Sequence, residues 1–176
     1  MERLRDYARL SLNQITTESW NAREAVEACA RADVPWIAFW RHKVEEIGLK
    51  QTAQLVRNAG VKVSSLCRGG MFPAATAAER TERIEDNMRA IEEAAELGTD
   101  VLVLVCGPAP DKDIAAAREM VAEGIERIAP YAQQCGVKLG IEPLHPMYAA
   151  ERSVVNTLRQ ANDLAERFPA AQVGVV

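Results

Sequence analysis

The stretch that decides the fold is GVKLGIEPLHP, Gly136–Pro146. A glycine opens it, an alternating run follows, and a carboxylate and two prolines around a histidine close it. Strand side chains alternate between faces, so Val137, Leu139 and Ile141 share one face while Lys138, Gly140 and Glu142 share the other. The apolar trio belongs under a layer of helices, which is how parallel sheets are covered. Glu142 then stands at the C-terminal end of a strand, where barrel enzymes gather their chemistry, with Gly140 beneath it leaving room. Burying an unpaired carboxylate is costly, so this reading puts Glu142 at the mouth of a polar pocket. There a bound cation or a substrate hydroxyl compensates its charge.

The turn into this strand occurs twice. NAGVKVSSLC (Asn58–Cys67) and QCGVKLGIEP (Gln134–Pro143) each run from a helix end through Gly-Val-Lys into a strand, with the glycine suited to a helix C-cap. Similar apolar runs predict strands near RLSLNQI (from Arg9), PWIAFW (from Pro35), KVSSLC (from Lys62), VLVLVC (from Val101), KLGIEP (from Lys138) and QVGVV (from Gln172). Five amphipathic segments separate them. The first spans about Asn21 to Ala32, the second Gly48 to Ala59 and the fifth Asn156 to Phe168. The third opens with the capping box Thr76-x-x-Glu79, carries Ile84, Met88, Ile91 and Ala95 on one face, and stops at Gly98. The fourth sets Ile114, Ala117, Val121, Ile125 and Ile128 on one stripe, and Pro130 predicts a kink or short break before Gly136.

Alternating βα units leave a doubly wound sheet or an eight-fold barrel. The first strand is followed by LNQITTESW (Leu12–Trp20), which contains no glycine for a phosphate loop, so the barrel is preferred. A (β/α)8 barrel takes about 250 residues. This chain of 176 residues therefore reads as a single domain, residues 1–176, holding about five βα units and a sixth strand of an incomplete barrel.

Composition narrows the partners. A net charge of −4 and the lack of a basic block interleaved with aromatics exclude a nucleic-acid or anionic-membrane surface from the expectations. The run VLVLVC is too short to span a bilayer, and the charged start MERLRDYARL lacks a secretory apolar core, so a cytoplasmic address is expected. The four cysteines (Cys29, Cys67, Cys106, Cys135) have no metal-site spacing. They read as reduced thiols, Cys29 and Cys135 filling helix faces and Cys67 and Cys106 at strand ends.

GIEPLHPMYAAERSVVNT (Gly140–Thr157), with LSLNQITT at the first strand, APYAQQCGVKLGIEPLHP in the middle and QVGVV at the end, resembles the sugar-phosphate isomerase/epimerase family with the xylose isomerase-like TIM barrel. The resemblance implies a divalent metal held by Glu, Asp, His and Glu from the fifth to eighth strand ends. Only the first of these maps here, onto Glu142. It further implies proton transfer beside the carbonyl of a small sugar, sugar phosphate or polyol, with the cation offsetting enediolate charge and carboxylates acting as acid and base. Mixed oxygen and nitrogen ligation favours Mn, Mg or Co over Zn. Under this reading Glu142 is both ligand and catalytic carboxylate.

Other strand-end residues are candidates for substrate binding. His145 lies between Pro143 and Pro146, and Arg152 follows in the same loop with Glu151 as a possible partner. Asn13, Trp40, Arg41 and Arg68 end earlier strands; Trp40 is suited to stack on a sugar face, and Arg68, before the GGMFP loop, to hold an anion. His42 is assigned to a solvated loop, and the pairs Glu45/Glu46 and Glu92/Glu93 to helix surface charge. The rival readings are a cyclitol dehydratase, a metal-dependent endonuclease-like hydrolase, and a truncated non-catalytic fragment. A site with one of four ligands and two open sheet edges predicts that the isolated chain self-associates, as a homo-oligomer or aggregate, and lacks turnover.

Overall fold

Asn21 starts the first helix because its side chain accepts the N–H of Glu24 while the Glu24 carboxylate accepts the N–H of Asn21, a reciprocal cap that satisfies two orphan donors. The computed structural model describes residues 7–176; the charged segment Met1–Asp6 lies outside the described residues. Six helices occur in it: α1 (Ala22–Arg31), α2 (Arg41–Glu45), α3 (Leu49–Ala59), α4 (Ala77–Leu97), α5 (Ile114–Gln134) and α6 (Leu158–Ala165). Alternating with them are β1 (Ser11–Asn13), β2 (Trp36–Trp40), β3 (Lys62–Gly70), β4 (Val101–Val105), β5 (Lys138–Ile141) and β6 (Val173–Val175). The strands form one sheet in chain order, β1-β2-β3-β4-β5-β6, and the paired strands run parallel. This is the partial barrel that the alternating sequence predicts.

Contacts divide the chain into two compact units. The first comprises the described residues up to Cys67 with Glu93–Asp100. Its core is built from Ala22, Ala25 and Val26 of α1 with Ile37 and Phe39 of β2, all fully buried. Alternation along β2 is strict: Ile37 and Phe39 are buried while Trp36, Ala38 and Trp40 are partly open, as a half-covered strand requires. The register of β2 on β3 shifts between Ile37 and Ala38, so Val63 and Ser65 become the successive partners and Ser64 is the extra residue of a bulge. The Ser64 hydroxyl lies 2.8 Å from that of Ser11.

The second unit comprises Arg68–Glu92 and Val101–Val176. Here Leu102 and Leu104 pair in register with Leu139 and Ile141, and all four are fully buried with Val121, Ile125 and Ile128 of α5. Burying each such side chain contributes roughly 1.5–3 kcal/mol. Both Gly-Val-Lys turns behave as predicted: Gly60 and Gly136 adopt left-handed φ of 68° and 73°.

Several expectations need correction. Helix α5 continues through Pro130 without a break, and Ile114, read as part of its apolar stripe, is 43% exposed. In α4 the buried face runs through Ile84, Asn87, Ala90, Ile91, Ala94 and Leu97, with Met88 only half-buried and Ala95 exposed. Residues 41–45, including His42, are helical, although the His42 side chain is exposed as expected. Of the acidic pairs, Glu45, Glu46 and Glu92 are exposed as expected and Glu93 is half-buried. Glu93 accepts two hydrogen bonds from Arg41, at 2.6 and 2.9 Å, Glu46 pairs with the buried Lys43, and Glu92 accepts the Tyr131 hydroxyl at 2.6 Å. The last bond pushes the Tyr131 phenol up to about 12, because ionising it would forfeit the donated proton.

Helix α5 is notched at Gly124, and Phe72, 2% exposed, lies over the notch. A Cβ at position 124 would fall 2.3 Å from a Phe72 ring carbon. Gly124→Ala gains about 1 kcal/mol of helix propensity but overpacks the contact by about 1–3 kcal/mol. The expected outcome is a net loss of stability, measured by urea denaturation at unchanged m-value; a more stable variant would show that Phe72 is not held there.

Candidate active site around Glu142

Two neighbours fix the backbone of β5. Leu139 and Ile141 are anchored in the core, so Gly140 and Glu142 take the opposite face. The room above Gly140 is used by β6's neighbour in sequence: a Cβ at 140 would lie 2.6 Å from the Val176 Cγ1, and the Val176 N–H bonds the Ile141 carbonyl at 3.1 Å. Glu142 donates its own N–H to the Leu104 carbonyl at 3.1 Å, extending the ladder one residue past the strand. Its carboxylate is half-buried. Desolvation raises its pKa, and the positive charge of Arg152 partly counters that effect.

The loop that follows is stitched down along its length. The Gly107 N–H donates to the Arg152 carbonyl at 3.0 Å and the Val154 N–H to the Gly107 carbonyl at 2.9 Å. The Leu144 N–H reaches the Val155 carbonyl at 3.0 Å, and Arg118 of α5 donates from Nε to the Val154 carbonyl at 2.9 Å. Ser153 is fully buried; its hydroxyl donates to the Val155 carbonyl and accepts the Val155 N–H. Cys106 is buried beside this turn. Burial, then the Glu142 charge, push its thiol up to about 12, so it stays protonated and is no nucleophile.

The predicted binding residues separate by unit. His145 and Arg152 share the Glu142 loop. The Nδ1 of His145 accepts the Met147 N–H at 3.2 Å, which fixes the Pro146–Tyr148 turn and leaves Nε2 as the exposed ring nitrogen. Arg152 sets its guanidinium 5.4 Å from the centre of the Tyr148 ring, a cation–π partner in place of the Glu151 expected from sequence. Arg68 is half-buried in β3 of the same unit. In the other unit, Trp40 donates from Nε1 to the Asn13 Oδ1 at 3.0 Å, and the same oxygen caps the turn Gln14–Thr17. Arg41 is committed to Glu93.

Buried polar residues escaped the sequence reading, Asn87 and Gln14 among them. Asn87 is buried in α4, and Gln14 is fully buried with neither side-chain polar atom partnered among the described residues. Among the described residues no group of three or more His, Cys, Asp or Glu is placed to hold a metal ion. Glu142 is a single carboxylate, whereas hard divalent cations require about six oxygen or nitrogen donors. The described residues therefore do not by themselves fit a metal. No described helix is long and apolar enough to cross a membrane.

A family model described as the xylose isomerase-like TIM barrel matches residues 24–176. The crystal structure of protein SMc04130 from Sinorhizobium meliloti 1021 is 49% identical, with a TM-score of 0.93 over 97% of this chain and 63% of that one. A D-psicose 3-epimerase solved in the presence of D-fructose superposes with a TM-score of 0.78 at 19% identity, over 94% of this chain and 61% of its own. The IolI protein with a bound zinc atom gives 0.72 at 20% identity, over 94% and 60%. The chain thus spans less than two thirds of each of these proteins. No curated protein matches it.

The raised pKa of Glu142 has a consequence for stability. A carboxyl whose folded pKa exceeds its unfolded value favours folding below the unfolded pKa, and that contribution is lost as pH rises through the folded pKa. Glu142→Gln is therefore expected to raise the melting temperature of the metal-free protein modestly at pH 7 and to leave it nearly unchanged at pH 4. Thermal melts at the two pH values check this; equal shifts at both would show that burial of the charge is not the cause.

Proposed function

The chain belongs to the xylose isomerase-like TIM barrel family, and on that premise we propose that the whole protein is a metal-dependent isomerase or epimerase of a small sugar, sugar phosphate or polyol. The observation that carries this reading is the half-buried Glu142 at the C-terminal end of β5, raised in pKa by desolvation and faced by Arg152. A carboxylate of increased proton affinity is suited to remove and return a proton beside a carbonyl near neutral pH. Glu142 is proposed as that base and as one metal ligand. Among the described residues it does not stand in a group of three or more such donors. When bound, a divalent cation, Mn, Mg or Co in preference to Zn, supplies charge stabilisation to the substrate oxygens.

Support comes from two directions. The structures that share the fold include an epimerase solved with a ketose and a protein carrying zinc. Within the loop, Arg152 and the open Nε2 side of His145 offer donors to substrate hydroxyl or phosphate oxygens. Arg68, Asn13 and Trp40 remain candidates for the same role, although the Asn13 amide oxygen is already engaged twice. A hydrolase acting on DNA is disfavoured by the net charge of −4 and by the presence of only two histidines. A cytoplasmic location and self-association complete the proposal.

The test is solvent deuterium exchange. The whole protein is incubated with Mn²⁺ and a panel of aldoses, ketoses, their phosphates and cyclitols in D₂O, and proton NMR follows the hydrogen next to the carbonyl. Exchange without loss of water is expected with at least one sugar, and Glu142→Gln should slow it roughly 10²–10⁴-fold. Water loss from a cyclitol would favour the dehydratase instead, and exchange indifferent to Glu142→Gln would sink the assignment.

A further inference from the structure

Helix α4 carries one amide on an otherwise apolar buried face. Asn87 is 1% exposed. Its Oδ1 accepts the Gly70 N–H at 2.6 Å, and its Nδ2 donates to the carbonyls of Gly70 and Arg83, both at 2.8 Å. Reversing the amide would set its NH₂ against the Gly70 N–H, so the partners fix its orientation. The side chain pairs with Gly70 as a neighbouring strand would.

Gly70 needs that substitute partner because the chain leaves the sheet there. Gly70 and Met71 take consecutive positive φ values, 96° and 55°. A Cβ on Gly70 would meet the Val105 carbonyl oxygen at 2.1 Å, and a non-glycine residue such as Met71 holds a left-handed conformation only when its surroundings impose it. Those surroundings are hydrogen bonds: the Met71 N–H donates to the Val105 carbonyl at 2.7 Å and the Phe72 N–H to the Cys106 carbonyl at 3.2 Å.

From this turn the contacts continue to the site. Gly107 has φ of 98°, and a Cβ there would lie 2.9 Å from the Pro73 Cδ and 3.0 Å from the Met71 Cα. On its other side Gly107 exchanges hydrogen bonds with Arg152 and Val154. Arg152 is the residue whose charge acts on Glu142. We propose that Asn87 is a positioning residue for the Glu142 site: it pins the Gly70–Met71 turn, the turn seats Gly107, and Gly107 holds the Arg152–Val154 segment in place. The inference rests on reading Glu142 as the working carboxylate, but its geometry runs from α4 and the end of β3 through the loops after β3, β4 and β5.

The experiment is residue-resolved amide hydrogen exchange on Asn87→Ala and on Asn87→Ser, which keeps a small neutral hydroxyl at the site and carries the test should the alanine variant not fold. The expected result is acceleration at Gly70, Met71, Gly107 and Val154 exceeding that at Ile125 in the α5 core by about tenfold, with Ser milder than Ala. Uniform acceleration of all amides would reduce Asn87 to general stability and overturn the proposal, as would a change confined to Gly70. The readout is independent of turnover, so failure of the sugar-isomerase reading and failure of this relay are separate results.

Discussion

Gly107 has no side chain, and three loops of the second unit meet where one would stand. Met71 and Pro73 press on it from the β3 side, while Arg152 and Val154 hydrogen-bond to it from the β5 side. Close approach of backbone to backbone is possible only at such a residue, and here it occurs at left-handed φ, which glycine alone adopts without penalty. The loop after β5 runs from Glu142 into the turn around Pro146–Tyr148 and on to α6. Without this seat it would be held by β5, α6 and the Arg118 bond to the Val154 carbonyl. The carboxylate is placed by β5, and what stands beside it depends on how tightly its following loop is pinned to the strand end before it.

That constraint makes the electrostatics of Glu142 intelligible. A carboxylate on a free loop would turn to water and lose its burial. Held on the face opposite Leu139 and Ile141, with its N–H committed to Leu104, it stays partly desolvated, and Arg152 is kept near without displacing solvent altogether. The two influences oppose each other, burial being the larger, and the net shift is upward. Cys106 shows the same environment acting on a weaker acid: burial and the nearby negative charge both disfavour its thiolate, which removes a competing nucleophile from the neighbourhood.

What was legible in the sequence was what neighbouring residues decide. The Thr76/Glu79 cap and the two Gly-Val-Lys turns are local patterns, and each stands as read; Asn21, read as the start of the first helix, proves to be its cap. Glu142 was found because alternation plus a strand end suffices to place it. The misses are long-range. Arg41 and Glu93 are 52 positions apart and Glu92 and Tyr131 are 39 apart, so no spacing rule joins them, and the acidic pair at 92 and 93 looked like ordinary solvated charge. The short α2 was missed because five residues are too few for a periodic signal.

Asn87 did leave a trace. The residues buried along α4 fall at Ile84, Asn87, Ile91 and Ala94, and helical spacing counted from Ile84 lands on the asparagine as readily as on Met88. Hydrophobicity alone prefers Met88, and that preference is the error. A polar residue in phase with an apolar stripe is a contradiction that burial resolves by hydrogen bonds, here two to Gly70 beyond the helix and one to the Arg83 carbonyl within it. Such a residue announces a backbone elsewhere that lacks partners, and here that backbone is Gly70, where the strand ends at positive φ. The glycine pair in RGGM and the misplaced asparagine in EDNM are two halves of one signal, each ambiguous alone. Gln14 poses the same contradiction, fully buried with both polar atoms unpartnered among the described residues.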